Sequence, residues 1–163
     1  MDTRLKTKEY TFNYGAHAVI INENKILLMK EEGDDFFYLP GGRVGISELE
    51  DRALLREMRE KLKMSVSIIR PIWMIKNFFI VEGGVVNEKC SEQGIYYLVD
   101  FPKKKLLKRG DKFKIKKYKE IFDFEWVSFD ELQQKNIRPH IIKKRIFEIP
   151  EKTIFFLEYE FEK

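Results

Sequence analysis

Two neighbouring stretches of the chain have residue types and spacing suited to phosphate chemistry. The first is Pro40-Gly41-Gly42-Arg43-Val44-Gly45-Ile46-Ser47-Glu48, and the second is Arg56-Glu57-Met58-Arg59-Glu60-Lys61-Leu62-Lys63-Met64. On a helix, Glu57 and Glu60 are three residues apart and share a face. Carboxylate oxygens are the ligands that hard Mg²⁺ prefers, and phosphate oxygens complete its octahedron. A metal held there orients a water and offsets charge developing on a transferring phosphoryl group. Lys61 stands four residues after Glu57, a spacing at which an ammonium can form a salt bridge in the space where a cation would sit.

These residues need a loop that feeds a helix, and the local sequence predicts one. Ser47 can cap a helix that begins at Glu48, with Glu50 completing a capping box, and no Gly or Pro interrupts the chain until Pro71. The helix is expected to run to about Leu62. At roughly 100° per residue, Leu54, Leu55, Met58 and Leu62 gather on one side and Glu57, Glu60 and Lys61 on an adjacent one. The apolar side is expected to pack on a sheet and the charged side to face a cleft or solvent.

Strands are expected at Tyr14 to Ile21 and Lys25 to Lys30, joined by a turn at Asn22-Glu23-Asn24, and a short one at Phe36-Phe37-Tyr38-Leu39. Val66 to Val81 reads as strand, broken or bent near Pro71 and Asn77. Gly83 to Ser91 reads as a polar loop, and Ile95 to Phe101 as a buried strand. Phe122 to Phe129 reads as strand, Asp130 to Lys135 as a short helix, His140 to Glu148 as a terminal helix ended by Pro150, and Thr153 to Phe161 as a late edge strand or dimer contact. Mixed strands with a central helix and a C-terminal helix argue an α/β layered domain.

The two stretches resemble the box of the Nudix hydrolase family: a Gly, five residues, a Glu, seven residues, Arg-Glu, an aliphatic, any residue, Glu-Glu, any residue, Gly and an aliphatic. Gly42, Glu48, Arg56, Glu57, Met58, Glu60 and Met64 fall at matching positions. With the strands before the box and Glu125-Trp126-Val127-Ser128-Phe129-Asp130-Glu131-Leu132 after it, the resemblance covers about residues 12 to 149. It implies an α/β/α sandwich with a mixed central sheet and a Mg²⁺- or Mn²⁺-dependent hydrolase. Such an enzyme would cleave a pyrophosphate bond in a nucleoside diphosphate derivative or related nucleotide. By the same resemblance Glu57, Glu60 and the Gly41 carbonyl are the metal ligands, and Glu92 is a further ligand or helps to activate water, with solvation of a strand end as its alternative. Glu48 and Arg56 form a salt bridge that orients loop and helix, and Arg43 meets substrate phosphate or else is an exposed, solubilising arginine. Phe78, Phe79 or Trp73 would stack on a base, against core packing as the alternative for Trp73 and Trp126.

Four positions depart from the pattern. Lys61 replaces the second Glu of the pair, Lys63 replaces the Gly, and Gly45 and Ser47 stand where many members have Glu and Gly. A protonated lysine has no acceptor for a cation. Three readings of Lys61 follow: metal and activity are lost; Glu57, Glu60 and a loop carboxylate still hold Mg²⁺; or the lysine points away and contacts substrate phosphate. The alternative to a hydrolase is a catalytically inactive Nudix-like domain that binds a nucleotide, RNA or protein.

Composition bounds these readings. The 163 residues, with 14 Phe, suit a single domain across 1–163, with 150–163 as a strand-like extension. Cys90 is the only cysteine, which excludes an intrachain disulfide or thiolate cluster and fits a cytoplasmic setting. No stretch approaches the roughly 18 uncharged residues of a spanning helix, so no membrane partner is expected. The net charge of +4 is uneven: ten Lys or Arg against one Asp between Lys103 and Lys119 make a local +9. This stretch is expected as a solvated loop, with steering of a polyanionic substrate or RNA contact as alternatives. His17, in an apolar strand, is expected to be a packed, hydrogen-bonded side chain, and His140 has no visible catalytic partner.

Overall fold

The computed structural model describes residues 4–7, 9–81 and 88–160. Ten strands run in chain order: β1 Leu5–Lys6, β2 Tyr10–Val19, β3 Ile21–Asn22, β4 Lys25–Glu31, β5 Gly41–Arg43, β6 Ser67–Val81, β7 Glu88–Asp100, β8 Lys112–Lys117, β9 Glu120–Ser128 and β10 Ile154–Tyr159. The helices are α1 Glu50–Glu57, extended by a π-helical turn Met58–Leu62, then α2 Lys103–Leu107, α3 Phe129–Leu132 and α4 Ile142–Arg145.

One sheet has the order β1-β2-β7-β6-β10, with β5 also on β2, and the other has the order β3-β4-β9-β8. β2 runs parallel to β7 and β10 parallel to β6, while the remaining pairs are antiparallel, so the larger sheet is mixed. Alternation along the buried strands divides the core into two layers. Leu27 and Met29 of β4 pack with Ala16, Phe122, Phe124, Leu54, Met58 and Leu62. Ile26 and Leu28 point the other way, toward Trp73, Val127, Leu132, Ile137 and Ile142. Helices therefore cover both faces, giving the expected α/β/α sandwich. Leu54, Met58 and Leu62 are fully buried, as the helical period requires, and each contributes about 1.5–3 kcal/mol.

Several local expectations change. Leu49, not Ser47, is the N-cap of α1, and no side chain caps it; the Glu50 carboxylate expected to complete the capping box accepts from the Tyr14 hydroxyl at 2.8 Å. Phe36 to Leu39 makes only isolated bridges, Tyr38 with Met29 and Phe37 with Ile137, instead of a strand. β6 is continuous through Asn77, and its irregularities lie at Ile68/Arg70 and Pro71/Trp73. Of the loop expected from Gly83 to Ser91, positions 83–87 lie outside the described residues and Glu88 to Ser91 belong to β7. The helix expected over His140 to Glu148 is one turn, α4. Lys103 to Lys119 is α2 plus β8 instead of a loop. The late strand finds its partner in β6, in parallel register from Ile154 opposite Trp73 to Tyr159 opposite Phe78.

Among the described residues no helix is long and apolar enough to cross a membrane.

Candidate active site

The loop and helix meet because two glycines permit it. A Cβ on Gly42 would stand 2.6 Å from Glu57 Oε1, and one on Gly41 would stand 2.8 Å from the Cα of His17. Gly41 and Gly42 pair with His17 and Ala16 of β2, which fixes the loop entrance against the larger sheet. At the other end Lys63 closes the helix in the left-handed region, φ 55°, a conformation glycine adopts without the steric cost to a side chain.

Arg56 ties loop to helix. Its Nε and Nη2 donate to the two oxygens of Glu48 at 2.8 and 2.9 Å, a bidentate fork. Nη2 also donates to the Arg43 carbonyl at 3.1 Å, and Nη1 to Glu57 Oε1 at 2.8 Å and Glu60 Oε2 at 3.4 Å. Hydrogen bonds from Arg56 are the main cause that holds the Glu48 carboxyl down at about 2. The Glu48–Arg56 pair expected from the sequence is therefore present, and Arg56 reaches Glu57 and Glu60 as well.

Lys61 points into this cluster. Its Nζ donates to the Gly41 carbonyl at 3.0 Å, lies 3.2 Å from Glu57 Oε2, and sits 5.3 Å from the centroid of the Phe122 ring. Lys117, the last residue of β8, donates to Glu60 Oε2 at 2.7 Å. That bond draws the Glu60 carboxyl below its usual range and raises the Lys117 ammonium. Each of the three donors on the box face is thus already engaged by a protein cation: Gly41 by Lys61, Glu57 by Lys61 and Arg56, and Glu60 by Lys117 and Arg56. As it stands, this donor set does not fit a divalent ion.

The opposite wall comes from β2 and β7. Glu92 stands opposite Asn13 in the parallel register, and its Oε1 lies 3.8 Å from His17 Nε2. Burial pushes the Glu92 carboxyl up to about 7, while 31% of the side chain stays open. Burial also lowers His17 to about 4, with Lys61 adding to the effect. A neutral His17 must donate from Nδ1, because its partner there is the Leu39 carbonyl at 3.1 Å. Nε2 then carries the lone pair toward Glu92, and among the described residues no hydrogen-bond partner reaches it. His17 is packed as expected, stacked on Tyr96 at 4.9 Å, but it also lines the cleft.

Both walls enclose one cleft of about 760 Å³, within the range of small-molecule sites. Gly41, Arg43, Glu48, Arg56, Glu57, Glu60, Phe79 and Glu92 all line it. Phe78 does not, because side chains alternate along β6: Asn77 and Phe79 face the cleft, and Phe78 stacks on Tyr159 at 4.9 Å. Trp73 is fully buried and Trp126 nearly so, both in the core. The sequence reading missed Lys117 and Arg138. Lys117 had a signal in the alternation of Lys112-Phe113-Lys114-Ile115-Lys116-Lys117, where it takes the inward side of Phe113 and Ile115. Arg138 lies between the rings of Phe36 and Phe79, 4.7 and 4.8 Å from their centroids.

His140, Glu158 and Glu160 form a second group, with ligand atoms within 4.8 Å of one another, a spacing that can hold a metal ion. Glu160 Oε1 and Glu158 Oε2 already accept the backbone N–H groups of His140 and Ile141, which fasten β10 to the turn before α4.

Solved structures share this fold at low identity. The mutator MutT protein from Bacillus halodurans has a TM-score of 0.56 at 12% identity, with 90% of each chain covered. An ADP-ribose pyrophosphatase from Streptococcus suis has a TM-score of 0.53 at 16% identity, over 89% of this chain and 98% of that one. A UDP-X diphosphatase has a TM-score of 0.51 at 16% identity, over 93% of this chain and 68% of that one. A search of curated proteins gave no match. The NUDIX domain family matches residues 11–146, most of the sequence, and the chain belongs to that family.

Proposed function

We propose that the cleft binds the diphosphate of a nucleoside diphosphate derivative and hydrolyses its pyrophosphate bond. The observation that carries this reading is the meeting, in one cleft, of a box face that carries its own cations, Arg56, Lys61 and Lys117, and a half-buried carboxyl raised to about 7 on the facing wall. Groups tuned toward neutral pH inside a cleft are suited to proton transfer. In this reading Arg43, Lys61 and Lys117 hold the phosphate oxygens. Water attacks one phosphorus, the bond to the bridging oxygen breaks, and the second phosphate departs with that oxygen. Glu92 in its ionised form accepts the proton lost by the water, and the carboxylic O–H so formed faces the lone pair of His17 Nε2, 3.8 Å away. The Phe36, Arg138 and Phe79 group forms the aromatic part of the cleft wall, against which a base would pack. The deciding assay is phosphate or monophosphate release over a panel of nucleoside diphosphate derivatives, run with Mg²⁺, with Mn²⁺ and with EDTA. Turnover that disappears in Glu92→Gln supports hydrolysis.

The position of Lys61 favours a second reading, in which the same ligand is bound and not cleaved. Tight nucleotide binding with no turnover at high protein concentration under any of the three conditions would select it. RNA as an alternative ligand draws only on the basic segment, and three of its lysines, Lys112, Lys114 and Lys116, point outward along β8.

A further inference from the structure

Lys61 holds a place in the charge arrangement that a free metal ion would otherwise take. Around the box face, three carboxylates, Glu48, Glu57 and Glu60, are matched by three cations, Arg56, Lys61 and Lys117, through contacts of 2.7 to 3.4 Å. The cluster is neutral without any added ion. Lys61 is its most enclosed ammonium: only 17% of the side chain is exposed, against 8% for Glu57. It gives one N–H to the Gly41 carbonyl and lies in ion-pair contact with Glu57 Oε2 at 3.2 Å. The Phe122 ring covers a further side, and the remaining approach is from the cleft.

We propose that Lys61 is the resident cation of this site, a tethered ammonium that receives an anionic phosphate oxygen and makes ligand binding independent of divalent metal. This inference rests on the cleft being a diphosphate site. A glutamate at the same position would change the local charge by two units, the charge of one divalent ion, and would add an oxygen donor beside the Gly41 carbonyl and Glu57. A metal requirement should therefore be switchable through this one residue. Magnesium added to the native protein meets carboxylates already paired, and it gains little unless it displaces both Lys61 and Lys117.

The test uses two readouts on the full chain: Mn²⁺ binding alone, by electron paramagnetic resonance, and ADP binding by calorimetry with excess EDTA or excess Mg²⁺. The native protein is expected to leave Mn²⁺ free and to bind ADP in EDTA, with an affinity that Mg²⁺ changes by less than about threefold, well under one charge-assisted hydrogen bond. Lys61→Met should weaken ADP binding in EDTA by about tenfold or more, the loss of one such bond, while Lys61→Arg keeps it. Lys61→Glu should bind Mn²⁺ and need it for ADP. Native protein that binds Mn²⁺ and takes ADP only with metal would overturn the inference and leave the diphosphate reading standing. Native protein that binds no member of the nucleoside diphosphate panel in either condition would overturn both. The native measurements alone decide the point if a variant fails to fold.

Discussion

The two walls of the cleft solve opposite electrostatic problems. On the box face every carboxylate is paired with a cation: Glu48 with the Arg56 fork, Glu57 with Arg56 and Lys61, Glu60 with Lys117 and Arg56. On the facing wall Glu92 and His17 stand 3.8 Å apart with shifts that favour the neutral form of each, so their contact is not an ion pair. The box face is thus a set framework of charge. The facing wall keeps a proton whose position responds to pH and to a ligand. The difference separates holding phosphate from moving a proton, and the variants below are chosen to break one wall at a time.

The largest effect is expected at Glu92. Glu92→Gln should lower turnover by about 10²–10⁴-fold, the usual contribution of a general base, and leave ADP affinity within a few-fold of native. Equal loss of turnover and affinity would place Glu92 in ligand binding instead.

The next effect concerns stability on the box face. Glu57→Ala leaves Lys61 enclosed without its carboxylate and should cost about 3–5 kcal/mol in urea denaturation, the range for breaking a buried pair. Glu60 is about one-third exposed, and Glu60→Ala should cost about 1 kcal/mol or less. Similar losses for the two would contradict the assignment of Lys61 as the enclosed partner.

A smaller effect is a pH dependence from the facing wall. The Glu92 carboxyl is raised above its unfolded value, so its contribution to stability is complete below about 4.5 and is lost as pH rises through about 7. His17 is lowered, so its contribution is complete above about 6.5 and is lost as pH falls through about 4. Denaturation midpoints of Glu92→Gln, whose amide does not ionise, should decline less between pH 4.5 and 7 than those of the native protein. The smallest effect belongs to Lys117→Ala. It should change stability by about 1 kcal/mol or less and raise the Glu60 carboxyl back toward its usual range, a shift visible by NMR titration.

The box face was legible in the sequence because its parts are local: Gly41, Gly42, Glu48, Arg56, Glu57, Glu60 and Lys61 lie on one loop and one helix, where spacing determines geometry. Even the ion pair of Lys61 with Glu57 follows from a four-residue separation. The remainder depends on long-range register. Lys117 reaches Glu60 across 57 positions of sequence, through the pairing of β8 with β9, and it was hidden in a stretch whose charge suggested a solvated loop. The capping box failed because the helix starts at Glu50, two residues later than expected, and the Glu50 carboxylate accepts from the Tyr14 hydroxyl on β2, a long-range partner that local spacing does not show. Phe78 and Phe79 are equivalent in composition, and only the register of β6 decides which of them faces the cleft.

The central claim, that an ammonium of the protein stands where a divalent cation would otherwise be held, has a direct crystallographic test. Crystals soaked in Mn²⁺ should show no anomalous peak between the Gly41 carbonyl and Glu57 in the native protein, with Lys61 Nζ at that place, and a peak there in Lys61→Glu. A native peak bonded to Gly41 and Glu57, with Lys61 swung out of the cleft, would contradict it.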